Sequence, residues 1–271
     1  MEIVSVANPR VKQWCRLLTR RGREEMGKFV LEGTHLVQEA LKARAAVETV
    51  LYSLERGIPA ELSEYGNGTT GTEWIGVSEA VLAKCTDTQT PQAVAAICRR
   101  PEHRAEQLLA SGQALLVAID GVQDPGNLGT IIRSADAVGA TGVLLGRGTV
   151  DLYNPKTIRA TMGSLFHLPI VECELREWLP EAVKCGMQVI GTRLGATAHC
   201  YEVDLTQPTC LVVGNEGQGV APDIAAHVTR DIMIPMRGQA ESLNVAMATT
   251  VLLYEAMRQR YFPQIKIPVR E

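Results

Sequence analysis

Three short clusters in the second half of the chain hold residue types that can bind and orient a polar substrate. The first is Asn127-x-Gly129-x-x-x-Arg133, the second Gly214-Asn215-Glu216-Gly217-x-Gly219, and the third Ser242-Leu243-Asn244. A guanidinium is a standing cation whose planar fork of donors matches phosphate, while amide and hydroxyl groups both donate and accept. Closely spaced glycines let backbone approach a ligand, and Glu216 sets a carboxylate beside them. The glycine loop lacks the Gly-Lys-Ser/Thr ending of a phosphate-binding loop and does not match Gly-x-Gly-x-x-Gly, which removes the usual nucleotide fingerprints. The five histidines and seven cysteines show no metal-ligand spacing, so no metal is expected.

Each cluster follows a segment that must position it. Ala114–Ile119, Gly142–Leu145, Met187–Gly191 and Cys210–Val213 are short, continuous apolar runs, the pattern of parallel strands buried on both faces. In such a sheet, ligands bind beyond the carboxyl ends of the strands, where the first two clusters fall. The third comes shortly after a strand at Asp231–Pro235. Leu128, Ile131, Ile132, Ala135 and Val138 form one helical stripe, with Arg133 on roughly the opposite side and Asn127 placed to cap the helix. The final helix, Leu243 to Arg260, has almost no polar face, which points to a core or an oligomer interface.

Residues 1–98 read as a smaller α/β unit: a helix over Asn8–Arg21, then Lys28–Leu31 (strand), Thr34–Arg44 (helix) and Val47–Tyr52 (strand). A Gly/Thr-rich loop at Tyr65–Thr72, a strand at Trp74–Val77, a helix at Glu79–Lys84 and a strand at Ala93–Cys98 complete it. Charged residues 99–113 read as a linker, and 114–271 as the second domain. Apolar residues make up 46% and charged residues 21%, an ordinary globular balance, and aromatics at 4% are too few for a base-stacking platform. A net charge of -3 excludes nucleic-acid binding by bulk electrostatics. The first thirty residues are nevertheless locally basic, and Arg10, Lys12, Arg20, Arg21 and Arg23 are candidate RNA phosphate contacts. An odd cysteine count without framework spacing, no signal peptide and no long apolar run lead to the expectation of a cytoplasmic protein, not associated with membranes.

The order and spacing of the three clusters resemble the SpoU/TrmH branch of the SPOUT RNA methyltransferases. Asn154-Pro-Lys-Thr-Ile-Arg159 with Met162-Gly163 also looks like a family segment. Leu31-Glu32-Gly33 with Thr90-Pro91 is similar to the substrate-binding domain that many members carry. The resemblance implies a parallel-sheet C-terminal domain with a deep trefoil knot, plus a smaller ribosomal-protein-like α/β RNA-binding domain. It implies a homodimer that methylates a ribose 2′-hydroxyl of structured RNA, not DNA, using S-adenosylmethionine. Ribosomal RNA is the favoured substrate and transfer RNA the alternative.

By the same resemblance, Gly214, Ile234 and Leu243 would contact the methyl donor through backbone, with Thr192, Asn215 and Met236 nearby. Arg133, Asn127, Glu216, Ser242 and Asn244 would form the catalytic set. The family analogy gives Arg133 the removal of the hydroxyl proton. A guanidinium stays protonated under ordinary conditions, so a phosphate clamp is the alternative role. Rival readings are a nucleotide-dependent α/β enzyme, a non-catalytic RNA-binding relative, and a base methyltransferase.

Overall fold

The short apolar runs of the sequence become strands of two separate sheets. In the computed structural model, which describes residues 1–66, 71–110, 112–193 and 195–264, contacts gather Met1–Glu102 with Asp151–His167 into one unit. His103–Val150 with Leu168–Glu271 form the other. Part of the expected Tyr65–Thr72 loop, and the chain beyond residue 264, lie outside the described residues. Among the described residues no helix is long and apolar enough to cross a membrane.

The first unit runs β1 (Glu2–Ile3), α1 (Pro9–Arg16), α2 (Arg20–Met26), β2 (Lys28–Glu32), α3 (Thr34–Lys42), β3 (Val47–Ser53), β4 (Glu73–Val77), α4 (Glu79–Cys85) and β5 (Val94–Arg99). The strands form a mixed sheet in the order β1-β4-β3-β5-β2. Val11, Trp14 and Leu17 pack with Leu51, Ile75 and Val77 in its core. Asn8 caps α1 and Pro9 occupies its first turn, as expected.

The single helix expected over 8–21 is two helices instead. Thr19 stops the first and caps the second, its Oγ1 accepting from Gly22 N at 3.1 Å. Gly22 is required there because a Cβ would sit 2.0 Å from the Arg16 carbonyl oxygen.

The second unit runs β6 (Leu115–Asp120), α5 (Pro125–Ala137), β7 (Gly142–Leu145), and, after helix α6 (Pro155–Thr161) of the first unit, β8 (Ile170–Glu172), α7 (Leu175–Lys184) and β9 (Gln188–Thr192). It ends with β10 (Ala198–His199), β11 (Thr209–Gly214), α8 (Pro222–Ala225), β12 (Arg230–Met233) and α9 (Val245–Tyr261). Its seven strands are all parallel, in the order β10-β12-β9-β11-β6-β7-β8.

Strand β11 therefore sits between β6 and β9, both of which precede it in the chain. Leu116, Ala118, Leu144, Val189, Cys210 and Val212 of the strands, with Trp178 and Leu179 of α7, share one core. Each large side chain buried this way contributes about 1.5–3 kcal/mol.

Helix α9 buries Ala246, Thr249, Leu252, Leu253 and Ala256, and its Thr250 Oγ1 lies 2.7 Å from Ser134 Oγ of α5. Its other face is apolar yet exposed: Met247 is 55%, Tyr254 47% and Tyr261 63% accessible. The Arg260 guanidinium fastens the helix end by donating to the carbonyls of Leu205, Gln113, Ala114 and Gln207 at 2.7–3.1 Å.

Residues 151–167 lie between β7 and β8 in sequence, but their packing belongs to the first unit. Arg23, 4% exposed, forms a buried ion pair with Asp151, and its Nη1 donates to the Leu17 carbonyl at 2.8 Å. The Tyr153 ring packs on Phe29 with centroids 4.7 Å apart, and Arg100 stacks over Tyr153 at 4.3 Å. The α6 side chain Arg159 faces the buried Glu32 carboxylate at 3.9 Å and Asp87 at 3.6 Å. Burial takes Arg23 off the surface that an RNA phosphate could reach.

Removing one partner of a buried pair strands the other charge, at a cost of about 3–5 kcal/mol. Arg23→Met or Asp151→Asn in the full chain should lower the denaturant midpoint accordingly. The Arg23→Met/Asp151→Leu double variant should lose less than either single change. Equal loss of a few tenths of a kcal/mol in both single variants would show that the pair does not hold the segment.

Candidate active site

The carboxyl ends of β12, β9, β11 and β6 lie side by side. Gly214 pairs with Asp120, Val212 with Gly191, and Ile232 with Thr192. One sheet edge thus collects Thr192, the 214–219 loop, the 120–127 turn, and Ile234 and Met236 beyond β12. This is the edge at which parallel sheets bind ligands.

Asp124, and not Asn127, caps α5: its Oδ1 accepts from Asn127 N at 2.8 Å. An Asp followed by Pro at the first helical position is the signal that marks this cap. Asn127 is thereby placed inside the first turn, and its side chain reaches across. Its Nδ2 donates to Glu216 Oε1 at 2.9 Å, and its Oδ1 accepts from Asn244 Nδ2 at 3.0 Å. The amide has only one reasonable orientation, because a carboxylate accepts and cannot donate. Asn244 Oδ1 in turn accepts from Ala246 N at 2.9 Å and Met247 N at 3.4 Å, capping α9.

Glu216 also accepts from the backbone N–H groups of Gln123 and Asp124, each at 3.3 Å. Burial pushes its carboxyl upward, but the bonds from Asn127 and from backbone N–H groups outweigh that and hold it below the usual carboxylate range. A continuous chain of hydrogen bonds, Glu216–Asn127–Asn244, therefore ties all three sequence clusters together.

The 214–219 loop closes on itself. Asn215 and Gly219 exchange backbone bonds of 2.9 Å, and Asn215 Oδ1 accepts from Gly217 N at 2.9 Å and Gln218 N at 3.1 Å. Asn215 Nδ2 donates to the Gly121 carbonyl at 2.8 Å, tying the loop to the turn after β6. Gly214 has no room for a side chain, because a Cβ would sit 2.1 Å from the Gly219 carbonyl carbon. The glycine is required by the fold of the loop itself. Asp120, a residue the motif spacing does not flag, accepts from Ala221 N at 2.7 Å and closes the far side of the loop; burial raises its carboxyl.

Arg133 projects from the exposed side of α5, opposite the buried stripe, as expected. Neither Arg133 nor the exposed Ser242 has a hydrogen-bond or ion-pair partner among the described residues. They are the members of the expected catalytic set whose polar groups are not engaged among the described residues. Leu243 is 39% exposed, and Thr192, Ile234 and Met236 are half-buried.

The N-terminal basic residues are largely balanced. Arg10 pairs with Glu73, Arg20 with Glu24, and Arg21 with Glu25. Lys12 is exposed without a carboxylate partner among the described residues. The seven cysteines are free thiols; burial pushes Cys85 and Cys173 to about 12, which leaves them unreactive at neutral pH. Among the described residues no three His, Cys, Asp or Glu converge as a metal ligand set.

Residues 114–254 match the SpoU rRNA Methylase family, and residues 8–96 match the MRM3-like substrate binding domain. A 23S rRNA (guanosine(2553)-2′-O)-methyltransferase of Bacillus subtilis (strain 168) is 42% identical over 93% of this chain and 98% of its own length. A 23S rRNA (uridine(2479)-2′-O)-methyltransferase of Streptomyces viridochromogenes is 34% identical over 95% of this chain and 92% of its own. The crystal structure of an AdoMet-bound rRNA methyltransferase from Sinorhizobium meliloti superposes with a TM-score of 0.86 at 33% identity, covering 97% of this chain and 98% of that one. With matches of this extent across both units, the chain belongs to the SpoU rRNA methylase family.

Proposed function

We propose that this protein transfers the methyl group of S-adenosylmethionine to a ribose 2′-hydroxyl of ribosomal RNA. The observation that carries the reading is the Glu216–Asn127–Asn244 chain, which joins the three clusters at the ligand-binding edge of a parallel sheet. Both relatives named above act on 23S rRNA at a ribose 2′-oxygen, and both align with nearly this whole chain. Residues 1–98 would select the RNA, with the exposed Lys12 as the candidate phosphate contact, because Arg10, Arg20 and Arg21 already face Glu73, Glu24 and Glu25. Residues 114–271 would carry the chemistry, joined by 99–113. The insertion of β11 between earlier strands suits a trefoil knot. The apolar face of Met247, Tyr254 and Tyr261, spaced seven residues apart along one side of α9, suits a homodimer contact. A cytoplasmic location, RNA in preference to DNA, and a reaction without metal complete the reading.

The edge fits the proposed donor. The backbone of the closed 214–219 loop, the half-buried apolar residues Ile234 and Met236, and the partly exposed Leu243 and Thr192 offer apolar walls with backbone polar groups. S-adenosylmethionine supplies, when bound, a methyl group activated on a sulfonium. Gly214, Ile234 and Leu243 would hold it through backbone groups, with Thr192, Asn215 and Met236 beside it.

Arg133, with no partner among the described residues, would clamp the RNA phosphate next to the reacting hydroxyl. A guanidinium that stays protonated cannot serve as base, so Arg133 positions, and the hydroxyl proton leaves to a phosphate oxygen or to water. Ser242 has a free hydroxyl to orient the ribose. Asn127, Glu216 and Asn244 use their main polar contacts on one another and act by holding the start of α5, the 214–219 loop and the start of α9 in place.

The direct test is transfer of isotope-labelled methyl to unmodified 23S rRNA, followed by alkaline hydrolysis and nucleoside analysis. Label in an alkali-stable dinucleotide is expected; label on a base would overturn the reading. Arg133→Gln should cut single-turnover transfer at least a hundredfold while leaving S-adenosylmethionine affinity within about twofold.

Glu216 sets a pH dependence. Because its folded-state carboxyl is depressed, its stabilising contribution is present above the ordinary carboxylate range and is lost as pH falls through the depressed value. Glu216→Gln should lower the thermal midpoint at pH 7 and flatten its fall between pH 5 and pH 3. An unchanged pH profile would show that the carboxylate does not brace the loop.

A further inference from the structure

Most cations of this protein already have a carboxylate. In the first unit Arg10, Arg16, Arg20, Arg21, Arg23 and Lys28 each form an ion pair, so the basic start of the chain offers much less free charge than its sequence suggests. In the second unit Arg147 pairs with Glu174, Arg193 with Asp231, and Arg258 with Glu255. Five arginines of that unit have no such partner among the described residues: Arg104, Arg133, Arg230, Arg237 and Arg260, the last held by backbone carbonyls. Arg104 precedes β6 and Arg230 opens β12, so both belong to the amino ends of the strands. Of the remaining two, Arg237 stands beyond the carboxyl end of β12, and Arg133 lies on α5, the helix that starts from the turn after β6.

Arg237 follows β12 by four residues, in the exposed stretch 237–244 that leads into Asn244. The Asn127–Asn244 bond pins the far end of that stretch beside the first turn of α5, the helix from which Arg133 projects about 9 Å further along. Glu241 lies in the same stretch and has no ion-pair partner among the described residues, so Arg237 is not neutralised by it. An exposed guanidinium without a counter-ion, next to a site for a polyanion, is matched by a phosphodiester.

We propose that Arg237 is a second RNA-backbone contact of the catalytic edge, taking a phosphate on the opposite side of the target ribose from the one held by Arg133. The inference rests on the RNA methyltransferase reading and adds to it a further source of phosphate affinity near the reacting nucleotide. It moves that source away from the self-paired N-terminal arginines. Arg237 touches substrate backbone and carries no base specificity, so its loss weakens all RNA sequences alike.

The test is binding of an unmodified 23S rRNA transcript by filter retention across 50–300 mM KCl, on the full-length protein. Each phosphate contact in single-stranded RNA contributes about 0.7 to the slope of log affinity against log salt. Arg237→Gln should flatten the slope by about that amount and raise the KM for RNA at least fivefold. S-adenosylmethionine affinity should stay within twofold, and Arg237→Lys should restore the slope. The Arg20→Gln/Arg21→Gln variant should leave the slope near wild type.

An unchanged slope in Arg237→Gln, with Arg133→Gln still flattening it, would overturn the proposal and leave the methyltransferase reading intact. So would a flattened slope confined to the Arg20/Arg21 variant. If the wild-type protein neither retains the transcript nor transfers methyl to it, the underlying reading fails whatever Arg237 does.

Discussion

The second unit depends on one amide. Asn127 stands between a carboxylate that only accepts and an amide that caps the next helix, and it satisfies both with one side chain. The partners come from positions 89 and 117 residues further along the chain. The start of α5, the 214–219 loop and the start of α9 are therefore set against each other by two hydrogen bonds, neither of which can flip without leaving a charged or capping group unmet. Pre-set geometry of this kind is what lets a site orient a weak nucleophile toward an electrophile without reorganising during the reaction. In the proposed reaction it also divides labour: Asn127, Glu216 and Asn244 would hold, while Arg133 and Ser242, unpartnered among the described residues, would touch substrate.

The loop between β11 and α8 shows the same economy of polar groups. Asn215 closes the turn with its oxygen and ties it to Gly121 with its nitrogen, and Asp120 secures the other end through Ala221. Apart from the exposed Gln218, little side-chain polarity is left over at this loop, so much of what it presents outward is backbone. Gly214 is demanded by that closure, independent of any ligand. In the first unit, the buried Arg23–Asp151 pair and the Tyr153 packing build residues 151–167 into the sheet-and-helix unit formed by the N-terminal hundred residues. That unit is discontinuous in sequence, and its completion waits on residues that follow β7.

Much of this is legible in the sequence. The strands at Leu115–Asp120 and Thr209–Gly214 are apolar runs that only a doubly covered parallel sheet explains, and the stripe of Leu128, Ile131, Ile132 and Ala135 set Arg133 outward. The break at Thr19 was not legible, because the local bond from Gly22 N to its hydroxyl is what decides it. The capping role of Asp124 was readable from the following proline, but Asn127 was the more conspicuous residue. The pairing of Arg10, Arg20, Arg21 and Arg23 depends on which carboxylates the fold brings near; two of these, Glu73 and Asp151, are distant in sequence. Charge counting along a chain cannot anticipate that.

The most direct measurement is a double-mutant cycle on Asn127→Ala and Asn244→Ala, read as single-turnover methyl transfer to 23S rRNA at saturating S-adenosylmethionine. Residues in one network couple by about 0.5–3 kcal/mol, whereas independent sites add. A brace predicts that the double variant is little slower than the slower single variant, since either change already releases the helix starts. If the two losses instead multiplied, each asparagine would be acting on substrate by itself, and the hydrogen bond between them would not be what organises the site.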